Sequence, residues 1–222
     1  MLVSQSSRRQ AITLIEVLVV ISVTSILATL AFRSVPEVLA KVRTIQCQTN
    51  LRQWGVATQL YADANNDYLP PDGAPNGRSK HNGWYIDLPR QIDLIPYHAT
   101  TWHTNPTAKL PTTLWLCPAN QRKSNGVNLF HYCLNQHISG SGAGRTIQLT
   151  SLSEPHRLVW LFDNGKLAAV AQHNNVHTNL HEKGANFLFL DGHVSRHDHP
   201  TYQGPQPSSA NTGTQSLLWH PQ

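Results

Sequence analysis

"AITLIEVLVVISVTSILATLAF", Ala11 to Phe32, is the stretch that decides how this chain is built. From Ile12 to Phe32 it runs 21 residues without Gly, Pro, Lys or Arg. A helix of that length rises roughly 30 Å, the hydrocarbon thickness of a bilayer. A soluble amphipathic helix would carry a polar face. Here the polar atoms are Thr and Ser hydroxyls, which can bond back to their own helix, and one carboxylate, Glu16. The run therefore predicts a membrane-spanning helix over residues 12–34. Arg8 and Arg9 precede it and place the N-terminus in the cytoplasm, with everything after the span outside. The apolar stretch is longer than that of a secretory signal, about 7–15 residues, and no A-x-A site closes it. The expectation is a single-pass membrane protein with its head outside the cytoplasm.

Composition limits what the rest can be. Of 222 residues only 13% are charged, the net charge is +5, and the longest basic run is Arg8-Arg9. That leaves no stripe to track phosphates, so nucleic acid is not expected as a primary partner. Three cysteines, Cys47, Cys117 and Cys133, form no C-x-x-C pair. Outside the cytoplasm they predict one disulfide and one leftover thiol, with the pairing open.

Pro36 predicts a kink or short break near residues 33–36. Helical spacing then resumes through Val35, Val38, Val42, Ile45, Cys47, Leu51, Trp54 and Tyr61. One long helix from about Ile12 to Ala62 is predicted, half in the membrane and half packed on a head. Asp63, Asn65, Asn66 and Asp67, followed by Pro70-Pro71, stop it. That acidic stretch resembles the start of a calcium loop but lacks its glycine and its later acidic ligand.

In the head, "GWYIDLPRQI" packs Trp84, Tyr85 and Ile86, "TTLWLCPAN" predicts a strand at 113–117, and Gly140–Gly144 predicts a loop. "RLVWLFDN" (157–164) is a strand signal. "GANFLFLDGHVSRH" (184–197) alternates, with Phe187 and Phe189 on one face and Leu188 and Leu190 on the other. Asp191-Gly192 predicts a type I′ hairpin turn. The tail, residues 200–222, is polar and predicted disordered.

Thirteen histidines invite a metal reading. His177, His181, His193, His197 and His199 lie around the hairpin with Asp191 and Asp198, and imidazole with carboxylate suits zinc. The spacing of a helical zincin is absent. The simpler reading gives His181 a structural hydrogen bond to Asp191, and no cofactor is expected. No nucleophile elbow, P-loop or dinucleotide fingerprint occurs.

"RRQAITLIEVLVVI" resembles the processing signal of type IV pilins and type II secretion pseudopilins. Thr13, Leu14, Ile15 and Glu16 match that signal, with Ala11 in place of the usual Gly and Ile12 in place of Phe. The resemblance implies cleavage between Ala11 and Ile12, N-methylation of Ile12, and an assembly role for Glu16. "HEKGANFLFLDGHV", with His181 nine intervening residues before Asp191-Gly192, resembles the C-terminal H-X9-DG signature of a large pilin-like family, the DUF1559-type proteins. "CQTNLRQWGVATQLYADANNDYLP" and "LWLCP" are similar to its middle motifs. The fold so implied is α+β and pilin-like: a long N-terminal helix against a small antiparallel sheet. The domains are a leader (1–11), the span (12–34), a head (35–199) and the tail (200–222).

The implied function is a non-enzymatic, pilin-like subunit. Its partners would be a prepilin peptidase, other pilin-like subunits and an inner-membrane assembly platform. Two rivals come from other classes. One is a membrane-anchored metal-dependent hydrolase using His181, Asp191 and His193. The other is a surface-polysaccharide binder stacking sugars on Trp84, Trp102 and Trp115.

Overall fold

The computed structural model describes residues 12–74, 76–138, 147–198 and 217–220. The leader with Arg8, Arg9 and Ala11, the Gly140–Gly144 loop, His199 and residues 200–216 lie outside them. The chain divides into two compact units, Met1–Ala40 and Lys41–Gln222.

Helix α1 covers Leu14–Ala64. It runs through Pro36 without the expected break, because proline removes one donor and the neighbouring turns carry the ladder past it. Every described side chain from Ile12 to Phe32 is exposed, Leu14 at 86% and Phe32 at 78%. This stretch is long and apolar enough to cross a membrane.

Within the second unit, α1 turns Cys47, Leu51, Trp54, Ala57 and Ala62 into the core. The spacing is that of one helix face. Trp54 meets Trp84 at 5.5 Å and Trp115 at 4.8 Å between ring centroids. Trp84 and Tyr85 come from a short helix α2, Trp84–Gln91. After α1, Asn66 and Asp67 both take positive φ. The Asp67 carboxylate accepts hydrogen bonds from the amide and hydroxyl of Thr150. The acidic stop thus ties the helix end to a loop.

Among the described residues five strands make one sheet: β1 (Tyr132–Asn135), β2 (Val159–Asp163), β3 (Val170–Ala171), β4 (Gly184–Phe189) and β5 (Val194–Asp198), in the order β3-β1-β2-β4-β5. All pairs are antiparallel except β1–β3. Residues 113–117 are not a strand. Leu114, Trp115 and Leu116 are buried in a turn, with the Leu116 carbonyl held by the Asn50 amide at 3.1 Å.

The sheet alternates as predicted. Tyr132, Leu134, Leu161 and Leu188 face the core that holds Cys47, Leu51 and Trp54. Cys133, Phe162, Phe187 and Phe189 face a second core, closed by Leu217 and Trp219. Two tail residues, Leu217 and Trp219, are therefore buried in the fold, since a sheet apolar on both faces needs a cover on each. Leu218 joins the backbone of β2: its carbonyl accepts from the Val159 amide at 3.0 Å, and its amide donates to Arg157 at 2.7 Å.

The hairpin turns differ from expectation. At Asp191-Gly192 only Gly192 has positive φ, so the turn is not type I′. Instead Phe189 and His193 flank a three-residue loop, with amide-to-carbonyl bonds Gly192→Phe189 and Phe189→His193, both 3.0 Å. This is a tight turn ended by a left-handed glycine. The turn with two positive-φ residues lies one step earlier, at Glu182 (50°) and Lys183 (68°), closed by paired His181–Gly184 bonds. Gly55 of α1 approaches this hairpin closely: a Cβ there would meet Leu188 at 3.0 Å.

Candidate functional site

At the start of α1, Thr13 is the last residue before the helix and Glu16 lies in its first turn. Glu16 Oε2 accepts from the Thr13 amide and the Thr13 hydroxyl, both at 2.8 Å, while the Glu16 amide donates to Thr13 Oγ1 at 3.4 Å. This is a reciprocal capping box, the pattern S/T-x-x-E/Q. T-L-I-E thus satisfies helix-end donors from within itself, a signal readable in the sequence but missed there. Ile12 is 77% exposed just before it.

A second constellation lies deep in the head. His181 and Asp163 have fully buried side chains, with Nε2 3.1 Å from Asp163 Oδ2. The carboxylate can only accept, so Nε2–H donates. The other ring nitrogen, Nδ1, meets the Thr44 hydroxyl of α1 at 3.0 Å. Asp163 Oδ2 also accepts the Asn186 amide at 2.7 Å, and Asn186 Oδ1 takes the Gln48 side chain at 3.1 Å. Arg196 holds the turn that carries His181, donating to the carbonyls of His181 (2.8 Å) and Glu182 (2.6 Å). One histidine so pins the helix, β2 and the β4–β5 hairpin together.

His181 has a structural bond, as expected, but its partner is Asp163 rather than Asp191. Sequence reading passed over Asp163 because it closes an ordinary strand. Its charge is felt widely. Burial first, and then Asp163, pushes the Tyr132 hydroxyl and the Cys133 thiol well above their ordinary ranges. Burial holds His131 below the usual histidine range, against the carbonyls of Arg122 and Cys117 and the pull of Asp163.

Asp191 and His193 sit elsewhere, on the exposed hairpin tip. His193 Nδ1 meets Asp191 Oδ1 at 2.6 Å, and its ring stacks on Phe189 at 4.2 Å. His197 bonds to Ser195 at 2.7 Å. The proposed zinc trio of His181, Asp191 and His193 does not converge among the described residues. The group whose ligand atoms do converge is Cys47, Cys117 and His181, all within 4.8 Å of one another. Cys47 and Cys117 are joined as a disulfide with Cα atoms 4.9 Å apart, and Cys133 is a buried free thiol. Cys117 Sγ lies 3.6 Å from His181 Nε2.

Cys117 also lines a groove of about 690 Å³ between the exposed face of α1, at Asn50 and Gln53, and the loop carrying Lys109, Leu114 and Lys123. Trp84, Trp102 and Trp115 are 1%, 6% and 3% exposed. They pack on other rings and offer no platform for sugars.

One known family matches part of the chain. The prokaryotic N-terminal methylation motif family matches residues 6–32. No curated protein and no solved structure matches the chain. The matched stretch contains the capped T-L-I-E turn and the apolar half of α1. Together they support a membrane-anchored, single-pass, type IV pilin-like chain.

Proposed function

We propose that this chain is a pseudopilin-like subunit, cleaved between Ala11 and Ile12 by a prepilin peptidase, N-methylated on Ile12, and assembled into a type II secretion or type IV pilus-like filament. The observation that carries this reading is the methylation motif at residues 6–32, set on an exposed apolar helix start. The N-terminus stays cytoplasmic and the head periplasmic, with residues 12–34 as the span. The subunit works by polymerising with its own kind or with related subunits on an inner-membrane platform, and turns over no substrate. Its H-X9-DG elements, His181, Asp191 and Gly192, serve the head's architecture.

Glu16 has a role in assembly on this reading. The methylated amine of Ile12 is a cation in an apolar setting. Glu16 of a neighbouring subunit offsets its desolvation, and each charge lowers the cost of the other. Mass spectrometry of the mature N-terminus tests processing. A mature chain that starts at methylated Ile12 supports it, whereas an intact Met1 in cells with active peptidase rules it out. Glu16→Ala should leave membrane insertion intact and stop filament formation.

A further inference from the structure

The disulfide, His181 and Asp163 make an unusual buried neighbourhood. Two sulfurs and an imidazole nitrogen converge within 4.8 Å, and none of the three residues is more than 1% exposed. The same nitrogen, Nε2, faces both Cys117 Sγ (3.6 Å) and Asp163 Oδ2 (3.1 Å). Asp163 Oδ1 is buried and has no hydrogen-bond donor among the described residues. An orphan carboxylate oxygen on the residue that bonds His181 is a poor way to build an inert core. It is a good way to build a metal site.

We propose that two-electron reduction of the Cys47–Cys117 disulfide converts this spot into a buried zinc site. Cys47 Sγ, Cys117 Sγ and His181 Nε2 would be ligands, and the Asp163 carboxylate, which lies outside that convergent trio, would swing in to complete the tetrahedron. The balance is simple. Two thiol reductant molecules give their hydrogens to the protein disulfide and leave joined to each other as one disulfide, so the protein gains two thiols. Zn²⁺ then replaces the two thiol protons, which leave to solvent, and it takes the Nε2 lone pair once the ring proton sits on Nδ1.

Zn–S and Zn–N bonds of about 2.3 and 2.0 Å place tetrahedral ligand atoms roughly 3.5–3.8 Å apart. The Cys117–His181 edge is already at that spacing. The sulfur–sulfur edge must open, since one covalent bond is exchanged for two metal bonds. Thr44 supports the change: a hydroxyl can donate to Nδ1 or accept from it, so it fixes the ring in both states. Two thiolates, an imidazole and a carboxylate select zinc over hard cations. The site lies behind the groove that Cys117 lines.

The site is therefore two-state. Oxidised, it is a covalent staple between α1 and the 117 loop. Reduced, the metal replaces the staple at the same place. Neither state depends on whether the chain forms filaments.

The test uses the full chain in detergent micelles, reduced with a phosphine without oxygen and titrated with Co²⁺ as the zinc probe. Expected is one cobalt per chain with thiolate-to-cobalt charge-transfer absorption, abolished by added Zn²⁺ and absent from the oxidised chain. Cys133→Ala should behave like the wild type, and Cys117→Ser should lose the absorption. Because Cys117→Ser can fail to fold, the wild type supplies a second measurement: zinc should shield two of its three reduced thiols from alkylation. Asp163→Asn should weaken cobalt binding roughly tenfold or more. The proposal is overturned by a reduced chain without that absorption, or by three thiols alkylated equally fast with zinc present. An unchanged affinity in Asp163→Asn removes Asp163 from the ligand set.

Discussion

Along residues 12–32 every described side chain is exposed, whereas along β2 and β4 every side chain is buried. Each region holds one carboxylate among apolar neighbours, and the two are satisfied by opposite means. Glu16 is served by Thr13, three residues away on the same turn. Asp163 is served by His181 and Asn186, eighteen and twenty-three residues away, and through them by Thr44 and Gln48 of α1. A locally capped acid leaves its region independent of the rest of the fold. An acid capped from three elements makes those elements depend on one another. The first arrangement suits a segment whose partners lie outside the chain, the second a head that must hold one shape.

The largest effect should come from breaking the buried arrangement. Asp163→Ala strands the His181 N–H and the Asn186 amide without an acceptor. A buried donor left without its acceptor costs about 1–3 kcal/mol, and two stranded donors place this variant at the top of that range or above it. Asp163→Asn keeps an acceptor oxygen and should cost clearly less. Urea unfolding of both variants checks the order. Equal losses would mean that the carboxylate merely fills space.

Next comes the disulfide. Cys47 and Cys117 are 70 residues apart in sequence. Closing a loop of that length restricts the unfolded chain by about 4 kcal/mol in the chain-entropy account. Cys47→Ser with Cys117→Ser should lower stability by about that much in metal-free buffer, and Cys133→Ser by far less. If the double variant loses under 1 kcal/mol, the His181–Asp163 network alone fixes the 117 loop on α1.

How much of this was legible follows the same division. Local patterns spoke clearly: the apolar run, the helix face Cys47–Leu51–Trp54, the alternation of Phe187 to Leu190. Long-range dependence did not. Asp163 sits at the end of a strand signal, and nothing local marks it as the partner of His181. Thr113–Cys117 has strand composition, yet a disulfide and a hydrogen bond from Asn50 hold it as a turn. Asp191-Gly192 has type I′ composition, but the register Leu188↔Val194 leaves a three-residue loop that needs only Gly192 left-handed. In the polar tail, Leu217-Leu218-Trp219 was the readable sign that the sheet's second face would be covered.

A smaller effect should appear with pH, at the edge of that cover. The His137 ring lies 3.8 Å from that of His220. Burial first, then His220 and His173, pulls His137 down from 6.5 to about 4. The unfolded chain therefore takes up the proton first as pH falls. Stability should be full above about pH 6.5 and decline toward about pH 4, the direction required when the unfolded state binds more protons. His137→Gln, which cannot titrate, should flatten the melting temperature over this window. An unchanged slope would assign the loss to other buried histidines, such as His131, which burial also lowers.

The smallest folding effect belongs to the capping box, and it separates the two roles open to Glu16. Thr13→Ala removes the hydroxyl that bonds Glu16 and accepts its amide. Cap losses of this kind let the first turn open roughly fivefold more often, which hydrogen exchange of the first-turn amides would register. Glu16→Ala removes the same cap and also the carboxylate. If Glu16 serves only its own helix, the two variants should behave alike in every assay, filaments included. If it meets the Ile12 amine of a neighbour, they part: both fray the first turn, but Thr13→Ala still assembles, with its carboxylate released from the local bond, while Glu16→Ala does not. Equal filament yields from both would confine Glu16 to its own turn and leave the Ile12 amine to another partner.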